Sequence, residues 1–194
     1  MPEPIGSLLA EVRACRVCEA HLPSPPRRIV QLGRRANVVV IGQAPGQKVQ
    51  STGVPWDDPS GDHLREWLAV DKKAFYDAGR FALLPMGFCY PGKEVGAGGD
   101  RPPRPECAPL WHERLLRQVR PGAVVLLVGQ YAQQHYLGRR QRASLTETVR
   151  AFDDYLPQFL PLPHPSWRSK LWMAKNPWFA RSVLPRLRTL VALG

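Results

Sequence analysis

The stretch Asn37-Val-Val-Val-Ile-Gly-Gln-Ala-Pro-Gly46 decides the fold. Its first half is a short apolar run rich in β-branched residues, which is typical of a strand buried on both faces. Its second half places two glycines and a proline within five residues, which favours a tight turn whose backbone amides can approach a ligand closely. The stretch therefore predicts a buried strand that ends in a ligand-binding turn.

Three further apolar runs follow along the chain, at residues 81–86, 123–129 and 158–162. Helical patterns separate these runs, with apolar residues that share one helical face: Leu64, Trp67 and Leu68, and then Leu115, Leu116 and Val119. A closing helix is predicted over 177–193, with a break or kink at Pro185. Strands that alternate with helices favour an α/β fold with a parallel sheet covered on both faces.

The chain has no internal repeat, so we expect a single domain over residues 1–194. In an open α/β sheet, ligands bind in the loops beyond the carboxyl ends of the strands. This rule selects three segments as candidate site loops, at residues 42–62, 87–107 and 163–169.

The charge of the chain is strongly positive and unevenly distributed. The formal net charge is +11, and residues 20–56 and 155–194 contain no acidic residue. Clustered cations attract a polyanion, so we expect a nucleic-acid partner, with an inert basic surface as the alternative. The apolar runs are too short to span a bilayer and the N-terminus lacks a secretion signal, so we expect a cytoplasmic protein that does not bind membranes.

The four cysteines, Cys15, Cys18, Cys89 and Cys107, form a candidate metal site. Cys15 and Cys18 are separated by two residues, a spacing that lets both side chains reach one metal centre. Cys89 and Cys107 fall in Pro- and Gly-rich segments, which we expect to be loops. Four thiolates suit a tetrahedral zinc ion or an iron–sulfur cluster, and four unrelated buried cysteines are the alternative. Disulfides are not expected in a cytoplasmic protein.

Two further segments carry residues suited to catalysis. Trp56, Asp57 and Asp58 place an aromatic ring and two carboxylates just before a predicted helix start. Near the C-terminus, His164 stands between two prolines, which hold it in a fixed direction as a catalytic donor requires.

With these motifs in order, the chain resembles the uracil-DNA glycosylase superfamily, particularly its iron–sulfur branches. The turn at 42–46 (GQAPG) is similar to the first motif of that superfamily, and the triplet at 164–166 (HPS) is similar to the second. The four cysteines match the cluster ligands in order and approximate spacing. The resemblance implies a three-layer α/β/α fold with a central four-stranded parallel sheet, a [4Fe–4S] cluster on the cysteines, and a base flipped out of DNA into the pocket.

The chain departs from the family pattern at two positions. Gln43 stands where one iron–sulfur branch has a glutamate that handles the attacking water, and an amide cannot act as a base. Asp58 resembles the position of an active aspartate in another iron–sulfur branch. Pro85 stands where many members have an asparagine that reads the edge of uracil, so deaminated purines become plausible substrates beside uracil.

The resemblance and these departures assign the site residues as follows. Asp58, His164 and Gln43 are expected at the catalytic centre, with Asp57 in reserve and Trp56 stacked on the flipped base. The base is expected to contact Gly42, Ala44, Pro45, Gly46 and Ser166. Trp167, Arg168 and Lys170 are expected to bind DNA and to fill the gap that the base leaves.

The predicted partner is therefore DNA that contains a damaged base, bound by a monomer. Two rival functions remain. One is a catalytically silent iron–sulfur protein that binds DNA through the same scaffold, which is favoured if Asp58 caps the next helix. The other is a structural protein that binds zinc.

Overall fold

The computed structural model describes residues 3–96 and 98–193, and the ends of the predicted 1–194 domain lie outside them. Within the described chain, a parallel sheet has the strand order β2-β1-β3-β4. Its strands are β1 (Val38–Ile41), β2 (Phe81–Leu83), β3 (Val124–Val128) and β4 (Phe159–Leu162). In the register, Val38 pairs with both Phe81 and Val124, and Val125 pairs with Phe159. The predicted four-stranded parallel sheet is confirmed.

Strand β2 is shorter than the apolar run that predicted it. The run extends to Met86, but the strand ends at Leu83. Pro85 has no N–H to donate to a neighbouring strand, so the ladder cannot continue through it. The chain beyond Leu83 still follows β1, because the Met86 amide donates to the Gly42 carbonyl at 2.9 Å.

Helices cover both faces of the sheet and are named in chain order. They are α1 (Ile5–Ala14), α2 (Gln47–Thr52), α3 (Pro59–Leu68), α4 (Lys72–Phe75), α5 (Cys107–Leu116), α6 (Gln130–Leu137), α7 (Leu145–Arg150), α8 (Arg168–Lys175) and α9 (Leu184–Ala192). Short 3₁₀ turns lie at Glu19–His21, Gly138–Arg140 and Phe152–Tyr155, and a π-helical segment lies at Phe179–Val183. No helix among the described residues is long and apolar enough to cross a membrane.

Two apolar cores lie on opposite faces of the sheet because successive strand residues point to opposite sides. Val38 and Val40 of β1 belong to one core, with Leu64 of α3 and Leu187 of α9. The intervening Val39 and Ile41 belong to the other core, which is completed by residues of α1, α5 and α6: Leu8, Val12, Leu115, Ala132 and Leu137. Each fully buried side chain of this kind contributes about 1.5–3 kcal/mol. The resulting order of layers confirms the predicted α/β/α fold.

Pro161 and Pro185 lie inside regular elements at positions where a missing N–H is tolerated. Pro161 lies in β4, which is an edge strand of the sheet. Pro185 lies in the first turn of α9, directly after the π-helical segment. The closing helix is thus interrupted near Pro185, as its sequence predicts.

Candidate active site

A cavity lies at the carboxyl edge of the sheet, beyond the ends of β1, β2 and β4. Its empty space, counted with the open solvent at its mouth, is about 420 Å³. It is lined by Ile29, Gly42, Gln43, Ala44, Pro45, Gly46, Val49, Pro55, Trp56, Asp58, Pro85 and His164. The cavity therefore lies at the edge where open α/β sheets bind ligands, and it brings together most of the predicted site residues.

Trp56 forms one wall of the cavity, and two glycines make room for it. A Cβ atom on Gly42 would lie 2.6 Å from Cζ2 of the Trp56 ring, and a Cβ on Gly61 would lie 1.8 Å from the Trp56 carbonyl oxygen. Trp56 itself has a φ of 59°, a left-handed conformation that a bulky residue rarely adopts. Arg65 Nη1 donates to the Trp56 carbonyl at 3.3 Å, which helps to hold this conformation.

His164 faces Trp56 across the cavity. The two rings are stacked with their centroids 6.0 Å apart and their planes at 29°. His164 follows β4 by two residues, and His63 of α3 lies 3.3 Å through Nδ1 from the carbonyl of the adjoining Pro165. Burial lowers the pKa of His164, while the negative charges of Asp58 and Asp100 oppose this effect. The lowered pKa favours the neutral imidazole, which has one N–H to donate.

Asp58 both caps a helix and lines the cavity. Its Oδ1 accepts a hydrogen bond from the Gly61 amide at 2.8 Å, so it is the N-cap of α3. The same side chain borders the cavity and acts electrostatically on His164. The capping and cavity-facing positions are therefore compatible, because the cap uses only one of the two carboxylate oxygens.

Asp57 and Gln43 lie in different surroundings. Asp57 is not among the cavity-lining residues, and its Oδ1 lies 3.8 Å from Nζ of Lys72. Gln43 borders the cavity, while its backbone carbonyl is occupied by the Gly87 amide at 3.0 Å. The geometry therefore favours Asp58 over Asp57 as the carboxylate of the cavity.

The predicted DNA-binding residues lie beside the cavity rather than in it. Ser166, which is predicted to contact the base, is not a lining residue either; its amide donates to the His164 carbonyl at 2.9 Å and its carbonyl accepts from Ser169 Oγ at 2.6 Å. These bonds start α8, so Trp167 and Arg168 stand at the first turn of that helix. The Trp167 side chain is 68% exposed, and the Arg168 guanidinium lies 5.0 Å from its ring centroid. Lys170 is also exposed.

Sequence reasoning missed His112, which fixes the floor of the cavity at Pro85. His112 is 2% exposed, with Nε2 3.0 Å from the Pro85 carbonyl and Nδ1 2.6 Å from the Tyr136 hydroxyl. A carbonyl only accepts, so Nε2 carries the proton and Nδ1 accepts from Tyr136. Burial lowers the pKa of His112 to about 4, consistent with this neutral form. Pro85 has no backbone N–H, because it is a proline, and its carbonyl already accepts the hydrogen bond from His112.

All four cysteines line a second cavity, whose empty space is about 390 Å³ when the open solvent at its mouth is included. All four are free thiols that are partly buried. Cys15 ends α1 and Cys18 precedes the 3₁₀ turn at Glu19–His21, so the two-residue spacing bridges two elements. Burial raises the pKa of Cys89 to about 11 and that of Cys107 to about 12. Among the described residues, no three His, Cys, Asp or Glu side chains are grouped as a single-ion site requires.

The expectation that Cys107 lies in a loop is wrong. Cys107 is the first residue of α5, and its Sγ accepts a hydrogen bond from the Phe88 amide at 3.4 Å. The preceding prolines do not prevent a helix start, because the first turn needs no intrahelical N–H donors. Cys89 does lie outside the regular elements, as expected.

Several cations of the acid-free segments serve the fold itself. Arg27 donates to the carbonyls of Gln50 and Ser51 at the end of α2. Arg188 donates through Nε to the Trp67 carbonyl at 3.1 Å. The count of positive charges in these segments therefore overstates the number that are available to a nucleic acid.

A three-layer α/β/α fold with an aromatic, a carboxylate and a histidine at the carboxyl edge of its sheet defines a class of ligand-binding or catalytic α/β protein. The family model of the Uracil DNA glycosylase superfamily matches residues 30–188, and the chain belongs to this superfamily. Membership indicates a DNA glycosylase in general terms, and it makes DNA the expected partner.

Proposed function

We propose that this protein is a DNA glycosylase of base excision repair, which hydrolyses the N-glycosidic bond of a deaminated base flipped out of DNA. Uracil is the first candidate base, and hypoxanthine and xanthine are further candidates. The observation that supports this function best is that Asp58 and His164 border one cavity from two different loops, beside the stacking ring of Trp56.

His164 is the proposed donor to the leaving base. When the bond between the base nitrogen and C1′ of the sugar breaks, the electron pair stays with the base and leaves it negatively charged. A neutral imidazole N–H aimed at a base carbonyl stabilises this charge without itself carrying an excess proton. The lowered pKa of His164 supports this assignment, because it keeps the imidazole neutral at physiological pH.

Asp58 is the proposed partner of the sugar. Positive charge builds on the sugar ring as the bond breaks, and a carboxylate stabilises it as carboxylates do in glycoside hydrolysis. The same group orients a water molecule, whose oxygen bonds to C1′ and whose proton is lost. Gln43 cannot accept that proton, so Asp58 is the carboxylate left in the cavity lining for this task.

The base itself is held by Trp56 and the turn at 42–46. The Trp56 ring offers a face for stacking, and the amides of Gln43 and Ala44 contact the polar edge of the base. Pro85 has no side-chain amide, and its backbone carbonyl is already bound to His112. The cavity therefore has no group at this position that reads the edge of uracil as an asparagine would. This arrangement favours a substrate class that shares a C=O and N–H edge, which deaminated pyrimidines and purines both present.

The cofactor proposed for the second cavity is a [4Fe–4S] cluster bound by Cys15, Cys18, Cys89 and Cys107. The four free cysteines all line this one cavity, as the ligands of a cluster or of a zinc ion would, and the resemblance of their order and spacing to the ligands of the iron–sulfur branches favours the cluster. When bound, the cluster supplies four Fe–S bonds that cross-link α1, the Cys89 loop and α5. Its proposed task is to hold these segments in place rather than to take part in hydrolysis.

The deciding experiment is a single-turnover excision assay on oligonucleotides that carry uracil, hypoxanthine or xanthine opposite each normal base. Release of the base leaves an abasic site that alkali cleaves, so the product is read as a shortened strand. We expect cleavage of at least one of these substrates and none of the undamaged duplex. No product with any of them, from protein that binds the same DNA, would refute the enzyme.

One observation favours a second function. The hydrogen bond from Gly61 to Asp58 gives this carboxylate a structural task, as expected in a catalytically silent DNA-binding protein on the same scaffold. The same assay separates the two functions, because a silent protein binds the damaged oligonucleotides and releases no base. Substitution of Asp58 or His164 would leave the affinity of such a protein for these oligonucleotides at the wild-type value.

A further inference from the structure

Three buried hydrogen-bond donors border the cysteine cavity and lack an acceptor. They are Nε of Arg28, Nε of Arg104 and Nε1 of Trp111, each buried and without a hydrogen-bond partner among the described residues. A buried donor left unpaired costs about 1–3 kcal/mol, so native proteins rarely leave one. Three such donors around one cavity indicate that an acceptor belongs in it.

These donors come from separate parts of the chain. Trp111 lies one helical turn after Cys107 on α5, so the two side chains share a face of that helix. Arg104 precedes the helix, and its Nη2 is bound to Glu106 Oε1 at 2.6 Å. Arg28 lies between Cys18 and Cys89 in the sequence, and its Nη1 is bound to the Pro26 carbonyl at 2.9 Å. In both arginines the outer nitrogen is thus anchored, while Nε remains unpaired.

The charges of the cavity also favour an anionic occupant. Two guanidinium groups border it, those of Arg28 and Arg104. Glu106 lies 3.8 Å through Oε2 from Sγ of Cys18 and would repel a thiolate there. Arg104 neutralises that carboxylate through its ion pair. A cluster with four thiolate ligands carries net negative charge and presents sulfur acceptors.

We infer that Arg28, Arg104 and Trp111 are positioning residues that donate N–H···S hydrogen bonds to the iron–sulfur cluster. This inference rests on the cluster proposed above. Hydrogen bonds and positive charge at the sulfurs stabilise the more negative, reduced form, so these residues raise the reduction potential of the cluster and slow its loss.

The test compares Trp111→Phe with Trp178→Phe in the full chain after anaerobic reconstitution with iron and sulfide. Trp111→Phe removes one unpaired donor beside the cysteines and keeps an aromatic ring. Trp178→Phe removes a donor that is bound to Asn176 Oδ1 at 3.2 Å, outside the cysteine cavity. Circular dichroism and the iron content establish that each protein is folded and loaded before it is compared.

We expect Trp111→Phe to show a more negative cluster potential and about tenfold faster loss of iron to a chelator, the lower end of the usual effect of such partners. Its Fe–S resonance Raman bands should also shift less than those of the wild type when exchangeable hydrogens are replaced by deuterium. Trp178→Phe should match the wild type in all three measurements.

A second pair of variants covers the case in which Trp111→Phe does not fold. Arg28→Lys keeps the positive charge and removes Nε–H, while Arg28→Met removes both. We expect the potential to become more negative from wild type to Arg28→Lys to Arg28→Met. Loaded variants with unchanged potentials, Raman shifts and chelation rates would overturn this inference alone, whereas a wild-type protein that binds no cluster would overturn the cofactor as well.

Discussion

At Asp58, one carboxylate caps α3 and borders the cavity, so the substitution chosen decides which of these tasks is lost. Asparagine is as good an N-cap as aspartate but has no negative charge and cannot act as a base. We therefore expect Asp58→Asn to keep the free energy of unfolding within about 0.5 kcal/mol. Excision in single-turnover conditions should fall about hundredfold, the usual scale for a positioned acid–base group.

Asp57→Asn is the matched control for this prediction. Asp57 faces Lys72 outside the cavity lining, so its substitution should leave the excision rate at the wild-type value. A large loss in Asp57→Asn together with full activity in Asp58→Asn would reverse the assignment. Full activity in both variants would require a mechanism without a carboxylate.

Gly42 provides a second test at the scale of one residue. A Cβ at this position would lie 2.6 Å from the Trp56 ring, so Gly42→Ala must displace that ring from its stack on His164. We expect destabilisation of about 1–3 kcal/mol, typical of overpacking, and a loss of excision measured in the same assay. Gly6→Ala is the control: nothing lies within 4 Å of its Cβ, so it should leave excision unchanged, and because Gly6 lies in α1 it should not lower the stability. Unchanged activity in Gly42→Ala would exclude a catalytic need for the position of Trp56.

Single residues differ in how far the sequence alone can assign them. Cavity residues such as Gln43, Trp56 and His164 could be predicted because each lies in a short motif directly after a strand or before a helix. The sequence also indicated both possibilities for Asp58, the cap and the cavity, but not that one side chain can occupy both. Arg28 and His112 could not be predicted, since the cysteine cavity that Arg28 borders and the two partners of His112 bring together distant parts of the chain.

At the scale of elements, α5 and α6 meet the end of β2 through His112. The pKa of His112 is lowered to about 4 from 6.5, so the unfolded chain takes up a proton between these values while the folded protein does not. Stability is therefore fully present above pH 6.5 and is lost as the pH falls towards 4, by on the order of 3 kcal/mol. Burial lowers the pKa of His164 as well, which acts in the same direction.

We expect His112→Phe to reduce this dependence on pH, measured as the free energy of urea unfolding between pH 4 and 7. The variant should also be less stable at pH 7, because the Pro85 carbonyl loses its donor. The control is His21→Gln, at an exposed position, which should keep the wild-type dependence. An unaltered slope in His112→Phe would mean that other groups, such as His164 or the carboxylates, cause the acid sensitivity.

Elements were predicted where one local rule decides their form. Apolar runs located the four strands of the described sheet, and each run is longer than its strand; the excess is largest at β2, because Pro85 ends its ladder. The start of α5 at Cys107 was missed because the prolines before it indicate a loop, and only the hydrogen bond from Phe88 reveals how the cysteine is held. Tertiary contacts of this kind leave no periodic trace in a sequence.

At the scale of the whole molecule, the cysteine cavity joins the N-terminal helix to the loops beside the active site. Protein purified without oxygen should be brown and contain about four irons per chain, as a thiolate-bound [4Fe–4S] cluster requires. Removal of the cluster with a chelator should lower the melting temperature, because the cross-links between α1, the Cys89 loop and α5 are lost. A colourless protein with stoichiometric zinc would contradict both the proposed cluster and the hydrogen bonds that Arg28, Arg104 and Trp111 are proposed to donate to it.

The role of the net charge of +11 can be tested through the positions of individual cations on the fold. Arg168 and Lys170 are exposed on the first turn of α8, beside the cavity, whereas Arg117 and Arg120 border a groove with Val125 and Phe159 at the starts of β3 and β4. These two pairs therefore lie at opposite edges of the sheet. Replacing either pair by alanine removes the same net charge, so a difference between the variants reports position alone.

We expect the affinity for DNA to fall steeply with salt, because each phosphate contact releases condensed counterions. Replacing Arg168 and Lys170 by alanine should weaken binding to damaged and undamaged duplexes alike and flatten the slope of log K against log salt by up to about 1.8. The Arg117 and Arg120 double variant should keep the wild-type slope, as measured by fluorescence anisotropy over a range of salt concentrations. Equal slopes in the two double variants would mean that the duplex does not bind at the edge of the sheet where the cavity opens, and the roles of Trp56, Asp58 and His164 would then lose their route to the DNA.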